Sequence, residues 1–342
     1  MSILESSSIL ITGGTGSFGK AFIKKVFSKY PNIKRLVIYS RDELKQWELS
    51  QIYPSNKYPN IRFFIGDIRD KERIQMALQD IDVVIHAAAL KQVDVAEYNP
   101  MEFINTNVVG GDNLVKACLN SNVKKVINLS TDKACAPINL YGATKLCSDK
   151  LFTAANNISG NKNIRFSCVR YGNVMGSRGS VIPLFMHLAK ADKTLKITDK
   201  DMTRFNITLE EGVRMVLYAI ENCIGGEILV PKISSYKIMD LVEAIGPNCK
   251  KEITGIRPGE KIHEEMITVS DSLNTLDMEK YFSILPAGIN NKYQEDFNKL
   301  KSKYNFVKQG FHYSSNNNID FLSVEDIRNL IKDNIDSNFI PI

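Results

Sequence analysis

The fold is decided near the start of the chain, where residues 9–19 read Ile9-Leu-Ile-Thr-Gly-Gly-Thr-Gly-Ser-Phe-Gly19. The first four residues form an apolar run that is typical of a buried strand, and Gly14, Gly16 and Gly19 then satisfy the spacing G-x-G-x-x-G. Apolar positions at helical spacing follow in residues 20–27. A strand, a glycine turn and a helix in this order predict a dinucleotide-binding unit, because the glycines let the backbone approach a pyrophosphate at the helix N-terminus. Taken alone, the glycines would also suit a surface turn.

Further apolar runs continue the alternation of strands and helices. The predicted strands are Leu36–Ser40, Ile61–Ile65, Val83–His86, Val126–Ser130 and Arg165–Arg170, and helices are predicted at 73–78, 111–120 and 324–331. This pattern predicts an α/β protein with a NAD(P)-binding Rossmann fold, a doubly wound parallel sheet covered on both faces. Beyond about residue 176 the alternation becomes irregular. We therefore expect a Rossmann domain at 1–175, rejoined by about 204–230, and a smaller substrate-binding region at 176–342.

The composition excludes several classes of protein. The chain has 342 residues, 44% hydrophobic and 24% charged, with a net charge of +6 and no basic stripe, so nucleic acid is a poor candidate partner. The six cysteines and four histidines are dispersed and show no metal-ligand spacing. No apolar stretch approaches the roughly 20 residues that span a bilayer. We expect a cytoplasmic protein without a metal site or a membrane span.

The end of the second strand bears on the choice of dinucleotide. Residues 40–45 read Ser40-Arg-Asp-Glu-Leu-Lys45. An arginine at this point accommodates the 2′-phosphate of NADP, whereas an acidic residue binds the ribose hydroxyl of NAD. Arg41 comes first, with Ser40 and Lys45 as further phosphate partners, so NADP is favoured and Asp42 keeps NAD as the alternative. Asp67, after the third strand, would reach the adenine edge or would be a turn carboxylate.

The stretch from Ser130 to Lys145 concentrates polar groups after the fifth strand: Ser-Thr-Asp-Lys-Ala-Cys-Ala-Pro-Ile-Asn-Leu-Tyr-Gly-Ala-Thr-Lys. Tyr141 and Lys145 are four residues apart and share one face of a helix. We expect the lysine to lower the pKa of the tyrosine toward neutrality and so make it a proton carrier. An incidental pair on a surface helix is the alternative. Upstream, the small side chains of Ala87–Ala89 would let the backbone pass close to a cofactor. Tight packing inside the protein is the alternative.

The motifs at residues 12–19, at residues 86–89 and at Tyr141 with Lys145 resemble the extended short-chain dehydrogenase/reductase family, whose core reads Thr-Gly-x-x-Gly-x-x-Gly, an alanine-rich fourth strand and Tyr-x-x-x-Lys. The resemblance implies that Thr131, Tyr141 and Lys145 cooperate in hydride transfer at a sugar carbon. The predicted cofactor-binding residues are Gly13, Thr15, Gly16, Ser17, Phe18, Gly19, Ser40, Arg41, Asp42, Lys45, Asp67, Ile68, Ala87, Ala88, Ala89, Lys91, Ser130, Tyr141, Lys145 and Val174.

A sharper signature narrows the resemblance. It consists of Ser130–Lys133, Leu140–Lys145, Arg170–Val174, Gly176–Ser180, Asp201–Phe205 and Arg257–Lys261. These segments resemble the inverting UDP-N-acetylglucosamine 4,6-dehydratases, lyases that begin pseudaminic acid synthesis. The resemblance implies UDP-N-acetylglucosamine as substrate, NADP held through the cycle and a homo-oligomer, often a hexamer, with a product for flagellin or capsule. The alternatives are another UDP-sugar dehydratase or epimerase of capsule or O-antigen synthesis, and a non-catalytic NADP-sensing regulator.

Asp132 and Lys133 carry the chemical argument. Retaining sugar-nucleotide 4,6-dehydratases have Asp-Glu here, and simple 4-epimerases need neither residue. The resemblance implies that Lys133 removes the C5 proton while Asp132 protonates the departing 6-hydroxyl. A lysine acts as a base only when neutral, so we expect desolvation or a nearby cation, Lys91 or Lys145, to lower its pKa. The alternative is a salt bridge between neighbours at the end of a strand.

The resemblance also implies a substrate site. Its predicted residues are Lys91, Thr131, Asn173, Arg178, Thr194, Met202, Arg204, Arg257 and Glu260. The arginines suit a diphosphate because a guanidinium binds two oxygens at once, although structural ion pairs would equally explain Arg204 and Arg257. Three positions depart from the family pattern: Gln92 replaces a histidine, Cys135-Ala136 replaces Ala-Asn before the proline, and Asn206 replaces a bulky aromatic residue. Gln92 and Asn206 bear on the choice of substrate.

Overall fold

The structure is a computed structural model, and it describes residues 4–177, 179–286 and 293–342. A ten-stranded sheet forms its centre, and seven neighbouring strands of this sheet are parallel. In sheet order these are β3 (Ile61–Ile65), β2 (Arg35–Ser40), β1 (Ser8–Thr12), β4 (Val83–His86), β5 (Lys125–Thr131), β6 (Arg165–Tyr171) and β10 (Ile228–Pro231). The predicted Rossmann-type α/β fold and its six predicted strands are confirmed.

Helices cover both faces of the parallel sheet. On one face lie α1 (Ser17–Lys29) and α9 (Leu209–Asn222), and on the other α3 (Lys71–Ala77), α6 (Gly110–Leu119) and α7 (Leu140–Ala154). Each layer buries its own apolar cluster against the sheet, so β1 is buried at every position. This double coverage explains why the strands are uninterrupted apolar runs.

The sheet continues beyond β10 in three antiparallel strands that the sequence did not predict. They are β15 (Tyr281–Ile284), β14 (Thr275–Met278) and β16 (Asn305–Phe306). Strands of two to four residues are too short to show a period of two, so no pattern distinguished them from loops. The boundary at residue 175 stays a prediction, although β10 does return to the main sheet beside β6.

A second layer of short elements lies in the later part of the chain. Its strands are β7 (Asn173–Val174), β8 (Leu195–Ile197), β9 (Thr203–Ile207), β11 (Ser235–Lys237), β12 (Lys251–Ile253), β13 (Glu265–Ile267) and β17 (Tyr313–Ser314). The helices α8 (Val181–Lys190), α10 (Ile238–Ile245) and α13 (Val324–Asn334) share a separate apolar core. The remaining helices are α2 (Glu43–Ile52), α4 (Val93–Tyr98), α5 (Pro100–Phe103), α11 (Val269–Ser272) and α12 (Gln294–Lys303).

Within the described ranges, no helix combines the length and the apolar character that a membrane crossing requires. The same ranges contain no group of three or more His, Cys, Asp or Glu side chains arranged to hold a metal ion.

Candidate active site

A cavity of about 990 Å³ opens at the carboxyl ends of the parallel strands. Its walls come from the glycine turn after β1, the ends of β2, β4, β5 and β6, and segments of the second layer near Met202 and residues 254–264. Crevices at this edge of a parallel sheet are where nucleotides bind. The cavity therefore joins the predicted cofactor and substrate residues in one site.

The glycine turn has the shape that a dinucleotide requires. Gly13 has a positive φ of 66°, and a Cβ there would lie 2.9 Å from the backbone of Ala88. Gly13, Gly16 and the residues around them line the cavity. Gly19 has a different role, because its Cβ would lie 2.1 Å from the Gly14 carbonyl oxygen, so it allows α1 to pack on the turn. Gly19 does not line the cavity, so its contact with a cofactor stays a prediction.

Of the polar residues at the end of β2, some are held by neighbouring side chains and one, Arg41, is half exposed. Asp42 caps α2, since its Oδ1 accepts from the Lys45 backbone nitrogen at 3.0 Å, and its Oδ2 pairs with the Lys45 ammonium. Arg41 lines the cavity with half of its side chain exposed. Ser40 is held by Gln46, a buried residue missed at the sequence level, whose amide donates to its hydroxyl and its carbonyl oxygen at 3.0 Å.

Asp67 does not lie in the cavity wall, contrary to the prediction; its neighbours Gly66 and Ile68 do. The Asp67 carboxylate accepts from the Arg69 guanidinium at 2.8 Å and lies 3.6 Å from Arg41. Although burial raises the pKa of Asp67, the bonds from Arg69 outweigh it and lower the pKa overall. The turn-carboxylate alternative is the one that the geometry favours.

Tyr141 and Lys145 both begin α7 and both line the cavity. Lys145 donates to the Leu129 carbonyl oxygen at 2.7 Å, and burial lowers its pKa. The expected fall in the pKa of Tyr141 is wrong for this structure. Burial raises the pKa of Tyr141 to about 12, and the opposing effects come from the charge of Lys133 and a hydrogen bond with Thr131. Spacing on a helix predicted the pair but not the degree of burial.

A turn of π-helix at Ile104–Val109 holds this part of the site and was not predicted. It contributes Asn107, whose amide donates to the Leu90 carbonyl oxygen at 2.9 Å and to the Thr144 hydroxyl at 3.0 Å. Asn107 thereby connects the residue before Lys91 with the helix that carries Tyr141. Turns of π-helix are frequent at functional sites, but no spacing rule reveals them in a sequence.

Asp132 and Lys133 lie together at the end of β5, beside a residue that the sequence analysis missed. The Lys133 ammonium is 3.0 Å from Asp132 Oδ1 and 3.1 Å from Glu264 Oε1, and it donates to Asn173 Oδ1 at 3.1 Å. The side chains of Asp132 and Glu264 are 1% and 4% exposed. The signal for Glu264 was its position three residues after Lys261, next to the Arg257–Lys261 segment.

The electrostatics of this group differ from the expectation for Lys133. Burial disfavours its charged form, but Asp132 and Glu264 outweigh that effect and raise the pKa of Lys133. Lys133 is thus an ammonium here, and neither Lys91 nor Lys145 neutralises it. Burial raises the pKa of Asp132, whereas Lys133 and Arg204 hold the pKa of Glu264 below its ordinary value. The consistent arrangement is an ionised Glu264 with an Asp132 that readily accepts a proton.

The cavity wall also carries the predicted anion-binding residues. Arg204 Nη2 lies 3.3 Å from Glu260 Oε1, and Arg257 Nη2 lies 2.9 Å from the same oxygen. Met202 and Asn173 also line the wall. Lys91 lies in the wall, where desolvation and the charge of Lys133 lower its pKa.

One predicted substrate residue is not in the wall, and another falls outside the described residues. Thr194 precedes β8 and does not line the cavity, whereas the nearby Lys196, Ile197 and Thr198 do. Arg178 lies outside the described residues.

Comparison with known proteins agrees with this geometry. Residues 9–286 match the family described as "Polysaccharide biosynthesis protein". The chain belongs to this family. It is 55% identical over 333 residues, 96% of this chain and 98% of the relative, to the UDP-N-acetylglucosamine 4,6-dehydratase (inverting) of Campylobacter jejuni subsp. jejuni serotype O:23/36 (strain 81-176). The resemblance to inverting dehydratases is confirmed.

One further relative and one solved structure share a lower sequence identity with this chain. The UDP-glucose 4-epimerase of Rickettsia akari (strain Hartford) is 40% identical over 329 residues, 94% of each chain. The X-ray structure of Pen from Bacillus thuringiensis matches with a TM-score of 0.87 at 36% identity, covering 97% of this chain and 98% of that one.

The three departures from the family pattern lie in different surroundings. Gln92 lines the cavity and stands at the N-cap position of α4 without a capping hydrogen bond from its side chain. Ala136 has a positive φ of 42° and is exposed, while Cys135 is buried. Asn206 is buried within β9, opposite Asn173 of β7. Only Gln92 of the three lines the cavity.

Proposed function

We propose that this member of the family is a UDP-N-acetylglucosamine 4,6-dehydratase that inverts the configuration at C5. It is a hydro-lyase, and its product is UDP-2-acetamido-2,6-dideoxy-beta-L-arabino-hex-4-ulose. The observation that carries the proposal is the buried contact between Asp132 and Lys133, 3.0 Å apart at the carboxyl end of β5. An acid and a base next to each other suit an elimination, and the strong similarity to an inverting dehydratase supports the same reaction.

We assign NADP as the cofactor. The glycine turn, Arg41 and Lys45 would hold it, and the use of Asp42 as a helix cap supports NADP over NAD, because that carboxylate is already engaged by Lys45. When bound, the oxidised nicotinamide supplies a hydride acceptor, a later hydride donor and a positive charge. Nucleotide released from the denatured protein should be NADP, and Arg41→Ala should weaken binding of NADP much more than binding of NAD.

Oxidation at C4 requires removal of the 4-hydroxyl proton. Tyr141 is the group that would take it, with Thr131 as a hydrogen-bond partner. The burial that raises the pKa of Tyr141 also makes the phenolate a stronger base once it forms. Lys145 holds its ammonium against the Leu129 carbonyl oxygen, so it would remain fixed throughout the step. The ketone that results at C4 acidifies the hydrogen at C5.

Elimination then breaks the C5–H and C6–O bonds. Lys133 would take the C5 proton and Asp132 would give a proton to the departing 6-hydroxyl, which leaves as water. The ammonium form of Lys133 cannot act as a base, so its proton must first pass to Asp132 across the 3.0 Å contact. One transfer would create the base and the acid together. A hydride returned to C6 and a proton added to C5 on the opposite face would then give the L-configured 6-deoxy sugar.

The substrate would extend from Lys133 toward Arg204. Lys91 and Asn173 lie near the sugar end, while Arg204, Arg257 and Glu260 are grouped where a diphosphate would be bound. Arg204 is partly engaged already, because its guanidinium donates to two backbone carbonyl oxygens at 2.8 Å. The more exposed Arg257 is therefore the better candidate for a direct phosphate contact.

The resemblance is also the basis on which we propose a pathway for the product and an oligomeric state for the protein. It assigns the product to pseudaminic acid synthesis for flagellin or surface glycans, and the chain to a homo-oligomer, with a hexamer as one form. All six cysteines are free thiols, which supports a reducing cytoplasmic compartment.

A 4-epimerase is the second candidate, favoured by the 40% identity to the Rickettsia relative. Epimerisation needs Tyr141 and a cofactor but no acid and base at C5 and C6. The buried Asp132–Lys133 contact would then be only a structural ion pair, at a substantial cost of desolvation.

The proposal is tested by incubating the purified protein with UDP-N-acetylglucosamine and measuring the mass of the product. We expect loss of one water without an added reductant. Lys133→Ala should lower the rate of water loss by at least about 100-fold, as expected for removal of a general base. Lys193→Ala, which removes an exposed lysine outside the cavity, is the matched control and should leave the rate unchanged. An isomer of unchanged mass would favour the epimerase.

A further inference from the structure

Glu264 lies at the active site, but neither the motifs nor the comparisons assign it a role. It directly precedes β13, and its backbone is fixed by Ser315: the Glu264 nitrogen donates to the Ser315 hydroxyl at 2.9 Å, and its carbonyl oxygen accepts from the Ser315 nitrogen at 2.7 Å. The side chain is 4% exposed and lines the cavity. A carboxylate this deeply buried is costly unless it is paired, so its partners indicate its purpose.

Those partners are two cations. Glu264 Oε1 lies 3.1 Å from Lys133 Nζ and 3.8 Å from Arg204 Nε. Its second oxygen, Oε2, is buried with no hydrogen-bond partner among the described residues. Lys133 is consequently held from two sides, by Asp132 and by Glu264, while Arg204 extends the contacts toward the predicted diphosphate end.

The charges around Lys133 come from several elements. The charged or titratable groups that interact electrostatically with Lys133 are Asp132, Glu264, Arg204, Tyr141, Lys91 and Tyr236. Of the two carboxylates that contact it, Asp132 is the one that burial drives toward the protonated form, whereas Glu264 is kept ionised by Lys133 and Arg204. The proton of the Lys133 ammonium therefore has one acceptor, Asp132, and one constant counter-charge, Glu264.

We infer that Glu264 is a positioning residue for the elimination: it holds Lys133 Nζ in place and remains the counter-charge while the lysine proton passes to Asp132. The transfer converts an ammonium and a carboxylate into an amine and a carboxylic acid, so protons and net charge are conserved. The C5 proton then restores the ammonium, and the acid proton leaves with the 6-hydroxyl as water. This inference rests on the proposed dehydratase activity and adds Glu264 to it.

The test compares Glu264→Gln with Glu264→Asp in the intact protein supplied with UDP-N-acetylglucosamine. Formation of the reduced nicotinamide reports oxidation at C4, and loss of water reports elimination. We expect Glu264→Gln to oxidise C4 at close to the normal rate but to eliminate water about 100-fold more slowly, the size of effect expected for a misplaced catalytic group. The amide removes the counter-charge, so the pH profile of elimination should shift to lower pH. Glu264→Asp retains the charge and should recover part of the rate.

Glu260→Gln is the matched control, because Glu260 also contacts Arg204 but does not contact Lys133. It should change KM for the nucleotide sugar and leave the pH profile of elimination in place. Equal slowing of both half-reactions by Glu264→Gln, or a change confined to KM, would overturn the inference. If Glu264→Gln fails to fold, Glu264→Asp provides the test. The quantities to measure are then the pH profile of elimination and the rate of elimination relative to the rate of C4 oxidation. Failure of the unmodified protein to release water would instead reject the proposed function.

Discussion

Ala136 is strained by its backbone conformation. It is also one of the positions at which this chain departs from the family pattern. Its φ of 42° lies in the left-handed region, where a Cβ clashes with the backbone and which asparagine tolerates better than alanine. The related enzymes are expected to carry asparagine here. The residue is exposed, so the replacement in this chain has no compensating burial.

We predict that Ala136→Asn raises the free energy of unfolding by about 1 kcal/mol, the scale of the strain at a left-handed alanine. Denaturant unfolding measures this change. The activity should stay the same, because Ala136 does not line the cavity. Ala136→Gly serves as a second variant with the same direction of change. A lower stability in both variants would mean that the left-handed conformation is not the source of strain.

At the residue scale, the placement of the catalytic candidates in one cavity was predictable, but their protonation states were not. Tyr141, Lys145, Asp132 and Lys133 were all found from local spacing and motif, and all line the cavity. The expected pKa shifts were wrong because Tyr141 is buried, and because Lys133 pairs with its neighbour Asp132 and with Glu264, which reaches the site from a distant segment. Local sequence does not encode such contacts.

At the scale of elements, three contacts join the loop after β5 to the segment before β13. Lys133 pairs with Glu264, Lys261 donates to the Cys135 carbonyl oxygen at 2.6 Å, and Asn139 donates to the Gly259 carbonyl oxygen at 2.8 Å. Gly142 lets α7 pack closely on the same loop, since a Cβ there would lie 2.2 Å from the Lys133 carbonyl oxygen. The catalytic stretch and the predicted nucleotide-binding segment are therefore one unit.

Substitution of Asn139 tests whether these two segments are coupled, because its side chain contacts both of them. Its Oδ1 accepts from the Gly142 nitrogen at 2.7 Å as the N-cap of α7, and its amide holds Gly259. We predict that Asn139→Ala lowers the free energy of unfolding by about 1 kcal/mol, the usual cost of a lost cap. It should also raise KM for the nucleotide sugar. Asn139→Asp retains the cap but loses the bond to Gly259, so it should raise KM with little loss of stability. Unchanged KM in both variants would contradict the coupling.

Element prediction succeeded where burial was strongest. Six of the seven parallel strands were predicted because helices cover both faces and leave apolar runs. The antiparallel strands β14, β15 and β16 and the π-helical turn were missed because their stability depends on neighbours far along the chain. Thr194 lies just before β8, and the cavity wall begins two residues later at Lys196, a boundary that the sequence pattern did not reveal.

At the scale of the whole molecule, His86 makes stability depend on pH. It ends β4 in the centre of the sheet, accepts or donates at 2.8 Å with the Thr12 hydroxyl, and stacks on Phe152. Burial, assisted by the charge of Lys145, lowers the pKa of His86 to about 3 from 6.5. Between these values the unfolded chain binds a proton that the folded protein excludes. His86 thus stabilises the fold fully above pH 6.5, and this contribution is lost as the pH falls toward 3.

We predict that this one group removes about 1.4 kcal/mol of unfolding free energy for each pH unit below 6.5. Urea unfolding at pH 7 and pH 5 measures the loss. His86→Gln cannot titrate, so it should lose about 2 kcal/mol less than the unmodified protein over this range. Equal losses in the two proteins would show that His86 is accessible to protons in the folded state.

A row of alternating charges runs along part of the cavity wall. The order is Asp132, Lys133, Glu264, Arg204, Glu260 and Arg257, with neighbouring charges 2.9 to 3.8 Å apart. The first member is 1% exposed and the last is 59% exposed. A nucleotide diphosphate bound by Arg257 would therefore act on the same charge network that holds the Lys133 ammonium.

The central claim is that Lys133 and Asp132 perform chemistry at C5 and C6, and one measurement tests it directly. The protein is incubated with UDP-N-acetylglucosamine in deuterated water without a reductant, and the sugar protons are followed by NMR. The account predicts a 6-methyl signal, deuterium at C5 and couplings of the L-arabino configuration. A retained 6-hydroxymethyl group with C4 inverted and hydrogen still at C5 would contradict it and identify an epimerase.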